Sequence, residues 1–216
     1  MPTDVKICGL STAETVTAAL DAGADFVGFN FYPKSPRYVS PPRAGELAKL
    51  ARGRARIVAL IVDAEDSVID EIVRAVDPDF IQAQGSENPE RIAEIRKRSG
   101  KPVIKAIKVR SRDDVAQTRA YDGIAALILY DAKAPETLKG ALPGGNGIAF
   151  DWKLLGQGDA ASGYLLAGGL NPHNVAEAIR VTGAPIVDVS SGVETSPGIK
   201  DITLIREFIA AAKAAR

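Results

Sequence analysis

The residues of this chain that could do chemistry stand at the ends of short apolar runs. The first run closes in Lys6-Ile7-Cys8-Gly9-Leu10. In a strand, side chains alternate between faces, so Lys6 and Cys8 share one face and Ile7 takes the other. A thiol with a pKa of about 8.5 is mostly protonated near neutrality, so Cys8 can act as a base only beside a cation that favours the thiolate. Lys6 is a candidate for that cation. The plain alternative is a small buried hydrophobe. A second run, Leu127-Ile128-Leu129-Tyr130, closes in Asp131, well placed for acid–base work. In isolation Asp131 reads equally well as a helix cap or an ion-pair partner in a loop. Asp188 interrupts Val187-Asp188-Val189. A carboxylate within a buried strand is costly unless paired, which points to Lys6 or a ligand donor as its partner.

Two glycine turns look like an anion cradle. One is Ala167-Gly168-Gly169-Leu170-Asn171-Pro172, the other Ser190-Ser191-Gly192. Glycine lets backbone N–H groups approach an oxyanion closely, and a following short helix adds its positive end. A third loop, Phe31 to Pro41, sets Lys34 and Arg37 between prolines that restrict it. Arg37 could hold a carboxylate through its two-pronged guanidinium, or be a solvated charge on a stiff surface loop. His173 follows Asn171-Pro172, a good helix start, and is expected exposed at a helix terminus, which makes it a poor member of a catalytic triad.

These side chains need a scaffold, and the apolar pattern supplies one. Strands are expected over Val5–Cys8, Phe26–Phe31, Arg56–Val62, Phe80–Gln84, Val103–Ile107, Ala126–Asp131, Tyr164–Ala167 and Ile186–Val189. Helical spacing of apolar residues marks Ala13–Ala22, Ala44–Ala51, Val68–Val76, Pro89–Ser99, Val175–Val181 and Leu204–Ala215. Near-continuous apolar strands alternating with helices mean a parallel sheet covered on its outer face. Eight such strands favour closure into a single (β/α)8 TIM barrel, one domain over residues 1–216, rather than an open doubly wound sheet. In such a barrel function collects at the carboxyl ends of the strands, and phosphate sites form between the loops after the seventh and eighth. The irregular stretch Ala132–Ala149, with Pro135, Pro143 and Gly144-Gly145-Asn146-Gly147, then becomes a long loop on the active face.

Composition narrows the function. Of 216 residues, 46% are apolar and 25% charged, an ordinary globular balance. Lys+Arg and Asp+Glu both total 27, and no basic run alternates with aromatics, so no nucleic-acid partner is expected and any bound anion should be small and held locally. The single cysteine forbids an intramolecular disulfide and fits a cytoplasmic protein. No apolar stretch is long enough for a membrane span, and the start lacks the layout of a signal peptide. One histidine and one cysteine leave little for zinc, so no metal is expected.

Several segments, in this order, resemble the phosphoribosylanthranilate isomerase family. They are Lys6-Ile7-Cys8-Gly9, Gly28 to Tyr38, Asp131-Ala132-Lys133, Pro143 to Gly147, Ala167-Gly168-Gly169-Leu170 and Asp188 to Glu194, spanning residue 6 to about 200. The resemblance implies an Amadori rearrangement in tryptophan biosynthesis, in which N-(5-phosphoribosyl)anthranilate becomes 1-(2-carboxyphenylamino)-1-deoxyribulose 5-phosphate. That chemistry needs an acid to open the ring and a base to take the C2 proton, with no cofactor. By resemblance Asp131 is the acid and Cys8 the base. Arg37 binds the anthranilate carboxylate, and Asp188 orients the amino group or a neighbouring side chain. Gly168, Gly169, Ser190, Ser191 and Gly192 take the phosphate. A monomer or homodimer is expected.

One departure stands out. The family usually shows Gln-Leu-His-Gly at the end of strand four, where this chain reads Gln82-Ala83-Gln84-Gly85. Gln84 can donate and accept hydrogen bonds at the substrate but cannot become a cation. Other readings are a related sugar-phosphate isomerase, against which Cys8 counts where the histidine-pathway enzyme normally has an aspartate, and a non-catalytic phosphate-ligand-binding barrel.

Overall fold

A computed structural model describes residues 3–133, 143–145, 147, 150–155 and 163–215. Met1-Pro2 and, from the long loop, Pro135 and Asn146 lie outside the described residues. Runs rich in Val, Ile and Leu form β1 (Asp4–Cys8), β2 (Phe26–Asn30), β3 (Arg56–Ile61), β4 (Phe80–Ala83), β5 (Val103–Val109), β6 (Leu127–Ala132), β7 (Tyr164–Leu166) and β8 (Ile186–Val189). They pair in sequential order, all parallel, and β8 closes onto β1. The architecture is therefore the (β/α)8 TIM barrel, not the open sheet.

The outer layer is α1 (Ala13–Asp21), α2 (Pro41–Ala51), α3 (Asp66–Val76), α4 (Pro89–Ser99), α5 (Arg112–Ala116), α6 (Val175–Thr182) and α7 (Ile202–Lys213). Polar caps set several starts. Thr12 accepts from the Thr15 N–H, Asn88 from the Arg91 N–H, and Asp201 from the Thr203 and Leu204 N–H groups. The α2 helix begins at Pro41 rather than Ala44. Its two prolines occupy the first turn, where a missing N–H costs no helical bond. A capping box, Ser111 with Asp114, starts α5, which is too short to show an apolar repeat and was not expected. Also unexpected is an antiparallel hairpin of β9 (Glu194–Ser196) and β10 (Ile199–Lys200) between β8 and α7.

Alternation along each strand divides the core in two. Phe26, Val58, Ile104, Ala106, Leu129, Leu165, Ala167 and Ile186 fill the barrel interior. Ile7, Val27, Phe29, Ile57 and Ile81 point outward with the apolar faces of the helices. Ile7 thus sits under the helices and Cys8 inside the barrel, as alternation requires. The β5 strand runs two residues beyond the expected Ile107, which carries Lys108 onto the barrel's inner face. No helix among the described residues is long and apolar enough to cross a membrane.

Candidate active site

The topmost inward residues surround one cleft at the carboxyl ends of the strands. Cys8, Arg37, Gln84, Asp131, Asp188, Gly168, Gly169, Ser190 and Ser191 all line it. Gly192 does not. A Cβ there would meet the Leu170 carbonyl oxygen at 1.8 Å, so its backbone is pressed against the neighbouring turn instead. His173 is exposed just before α6, outside the cleft.

Strand register places the charges. Lys6 on β1 lies beside Asp188 on β8, and their side chains form a buried ion pair, Nζ to Oδ1, at 2.8 Å. Cys8 follows one layer higher. It has room because its register partner on β2 is Gly28, where a Cβ would come within 3.1 Å of Sγ. Burial pushes the Cys8 thiol up, and Asp188 adds to this, while Lys6 and Lys200 pull it down; the net direction is up. Burial alone would lower Lys6, but Asp188 and Cys8 outweigh it and hold the ammonium charged.

Opposite, Lys108 on β5 is in register with Asp131 on β6, and Lys108 Nζ meets Asp131 Oδ2 at 2.7 Å. Gln84 Nε2 donates to the same oxygen at 2.9 Å and to the Pro143 carbonyl at 3.3 Å. Lys108 Nζ also donates to Pro143 O. Pro143 is therefore tied to the Asp131 side of the cleft.

Arg37 is buried, which rules out the solvated-surface reading. Its loop is folded inward by Asn30, whose Nδ2 donates to Ser35 Oγ, while Ser35 Oγ accepts the Arg37 N–H. The guanidinium fork is filled by Glu194: Nε to Oε1 at 2.7 Å and Nη2 to Oε2 at 2.8 Å. Nη2 also donates to the Gly145 carbonyl at 3.3 Å, whereas Nη1 makes no hydrogen bond among the described residues. Glu194 also accepts from Lys200 Nζ at 2.7 Å, and Lys200 reaches the Ser190 carbonyl at 2.9 Å and its Oγ at 3.2 Å. Burial works to raise Glu194, but Arg37 and Lys200 together bring it below the ordinary carboxylate range. Burial lowers Lys200 despite Glu194.

Lys108, Glu194 and Lys200 are site residues that the sequence reading did not single out. Lys108 gives a signal, a charge at the inward spacing of an apolar strand. Lys200 gives none, because it reaches the site through a hairpin that carries no strong strand pattern.

The cleft thus gathers a thiol, a carboxylate, a guanidinium and the turns after β7 and β8. Comparisons with known proteins identify the family. A family model described as N-(5'-phosphoribosyl)anthranilate (PRA) isomerase matches residues 5–211. The chain belongs to this family. The chain is 51% identical over 216 residues to the N-(5'-phosphoribosyl)anthranilate isomerase of Mesorhizobium japonicum, covering all of this chain and 98% of that one. It is 53% identical to that of Rhizobium meliloti, covering 100% and 99%. The crystal structure of phosphoribosyl anthranilate isomerase from Thermotoga maritima superposes with a TM-score of 0.86 at 38% identity, over 98% of each chain. A phosphoribosyl anthranilate isomerase in complex with reduced 1-(o-carboxyphenylamino)-1-deoxyribulose 5-phosphate gives 0.83 at 35%, again over 98% of each. The isomerase resemblance read from the motifs thus holds at the level of family, fold and enzyme class.

Proposed function

We propose that this chain converts N-(5-phosphoribosyl)anthranilate to 1-(2-carboxyphenylamino)-1-deoxyribulose 5-phosphate, a step of tryptophan biosynthesis in the cytoplasm. The observation that carries the reading is Cys8 and Asp131 on opposite sides of one cleft at the active end of a barrel of this family. Asp131 protonates the furanose oxygen as the C1–O bond breaks and the ring opens. The nitrogen lone pair meanwhile forms a C1–N double bond. Cys8 then removes the proton from C2, the C–H pair forms the C1–C2 double bond of the enolamine, and the C1–N π pair returns to nitrogen. Tautomerisation gives the ketone, so atoms and charge balance within one molecule. Asp188 keeps Lys6 under the thiol, where its positive charge favours the thiolate. Arg37 holds the anthranilate carboxylate through Nη1, and the Gly168-Gly169 and Ser190-Ser191 turns hold the phosphate, with Lys200 beneath the second.

Gln84 fits a positioning role, since its amide already donates to the acid. The test is loss of anthranilate fluorescence from substrate generated in place from anthranilate and phosphoribosyl pyrophosphate by a purified transferase. Rapid loss that requires this protein and no added cofactor supports the proposal. A folded protein that binds the product but leaves the fluorescence unchanged overturns it.

A further inference from the structure

Gln82 stands two residues before Gln84 on the same inward face of the barrel, one layer deeper in the cleft. It lines that cleft and is 1% exposed. Its Nε2 donates to Gln84 Oε1 at 2.7 Å. Its Oε1 is buried and has no hydrogen-bond partner among the described residues.

The polarity of this pair is fixed from outside. Gln84 faces the Asp131 carboxylate and the Pro143 carbonyl, both acceptors, so its amide nitrogen must lie on that side. Gln84 Oε1 is thereby turned to Gln82, which must answer with its own nitrogen. Gln82 Oε1 is left as the free acceptor at the end of the chain Asp131–Gln84–Gln82. Its register partners are Leu60 on β3 and Ile104 on β5, neither of which has a side-chain donor. A buried carbonyl without a donor is destabilising, and a donor group on a ligand relieves this.

We infer that Gln82 is a substrate-binding residue whose Oε1 accepts a hydrogen bond from a secondary hydroxyl of the sugar. This rests on the isomerase reading above. Phosphate oxygens and the benzoate are acceptors themselves and are disfavoured beside a carbonyl oxygen. The donors left are the sugar hydroxyls and the anilino N–H. The sugar is the part that must lie between Cys8 and Asp131, within reach of the amide pair that ends on Asp131, whereas the anilino group is drawn toward Arg37.

The test uses the reduced product, a stable alcohol, and four analogues: three lacking the C2, C3 or C4 hydroxyl in turn, and one with the anilino N–H replaced by an ether oxygen. Calorimetry measures each against the wild type, Gln82→Met and Gln82→Asn. We expect one deoxy analogue to bind the wild type about tenfold to a hundredfold more weakly than its parent. In Gln82→Met the parent and that analogue should bind within about threefold of each other, because the acceptor is gone. Gln82→Asn, which withdraws the carbonyl by one methylene, should give the same collapse and stands in if the methionine variant fails to fold. A deoxy penalty that survives in both variants overturns the inference, because Gln82 then acts only through Gln84. A penalty confined to the ether analogue also overturns it. If the wild type neither binds the parent nor turns over substrate, the isomerase reading itself has failed. If it does both and the deoxy penalty persists in the variants, only the role of Gln82 falls.

Discussion

The two sides of the cleft each hold one ionisable group at a strand end, by opposite means. On the β8–β1 side, charge is fixed by charge. Lys6 is fully buried against Asp188, and Arg37, Glu194 and Lys200 form a second buried network next to it. On the β4–β6 side, Asp131 meets a lysine whose side chain is 29% exposed and a neutral amide that hands its polarity on to a second amide. Removing one partner of a buried pair leaves an uncompensated charge, whereas removing an amide loses direction. The first side should therefore respond to substitution in stability, and the second in geometry.

Both reacting groups come first, because the comparison has meaning only if each side does chemistry. Cys8→Ala and Asp131→Asn are each expected to lower kcat by about 10²- to 10⁴-fold, the usual contribution of a general acid or base. The melting temperature should stay close to that of the wild type. Steady-state kinetics and circular dichroism check this, and near-normal turnover in either variant removes that residue from the mechanism.

The asymmetry itself is tested by Lys6→Met against Lys108→Met. The first leaves Asp188 buried without its cation and should cost about 3–5 kcal/mol of folding stability. The second removes the half-buried lysine from a carboxylate that keeps Gln84 as a donor, and should cost less, about 1–3 kcal/mol. Urea unfolding of both variants reads the difference, and equal losses would break the comparison.

The difference between the sides also explains what could be read from the sequence. Alternation around Lys6, Cys8 and Asp188 was legible because a charge in an apolar strand has few places to go. Strand order and closure followed from the repeat of strand and helix, and the strand bounds differ by only one or two residues at the ends. The Arg37–Glu194–Lys200 network was not legible. It joins a loop after β2 to a hairpin after β8, and neither local pattern signals the meeting. For the same reason the sequence left Arg37 open between a ligand-binding residue and a surface charge. The Gln82–Gln84–Asp131 chain was only half legible. Gln84 drew notice as a departure from the family's histidine, but nothing in the sequence says which way an amide turns.

The pH profile probes the charged side alone. Burial raises the Cys8 thiol above its ordinary range, and on the proposed mechanism the thiolate is the working form. Activity must therefore rise with pH, and kcat/KM should still be climbing at about pH 8.5, where an unperturbed thiol is half ionised. In Lys6→Met the cation that lowers the thiol is absent, so the rising limb should move to still higher pH. A plateau already reached near neutrality, unchanged by Lys6→Met, would show that Cys8 does not set the limb.

The smallest effect is expected on the neutral side, from Gln84→His. A neutral imidazole can donate to Asp131 from one ring nitrogen and accept from Gln82 Nε2 at the other, which reproduces the present polarity. Near pH 8 the variant should turn over substrate within about tenfold of the wild type, a difference under about 1.4 kcal/mol. Protonation changes the pattern, because an imidazolium has two donors. One of them would then face the Gln82 amide nitrogen and force that amide to turn, taking Oε1 away from its free position. The ratio of variant to wild-type kcat/KM should consequently fall below about pH 6.5, the usual range for histidine. A ratio that is flat with pH would mean that Gln82's orientation does not matter to turnover. A ratio that rises as the pH falls would mean that a cation is the better neighbour for Asp131, and Gln84 would then be a loss of function rather than an equivalent way of holding the acid.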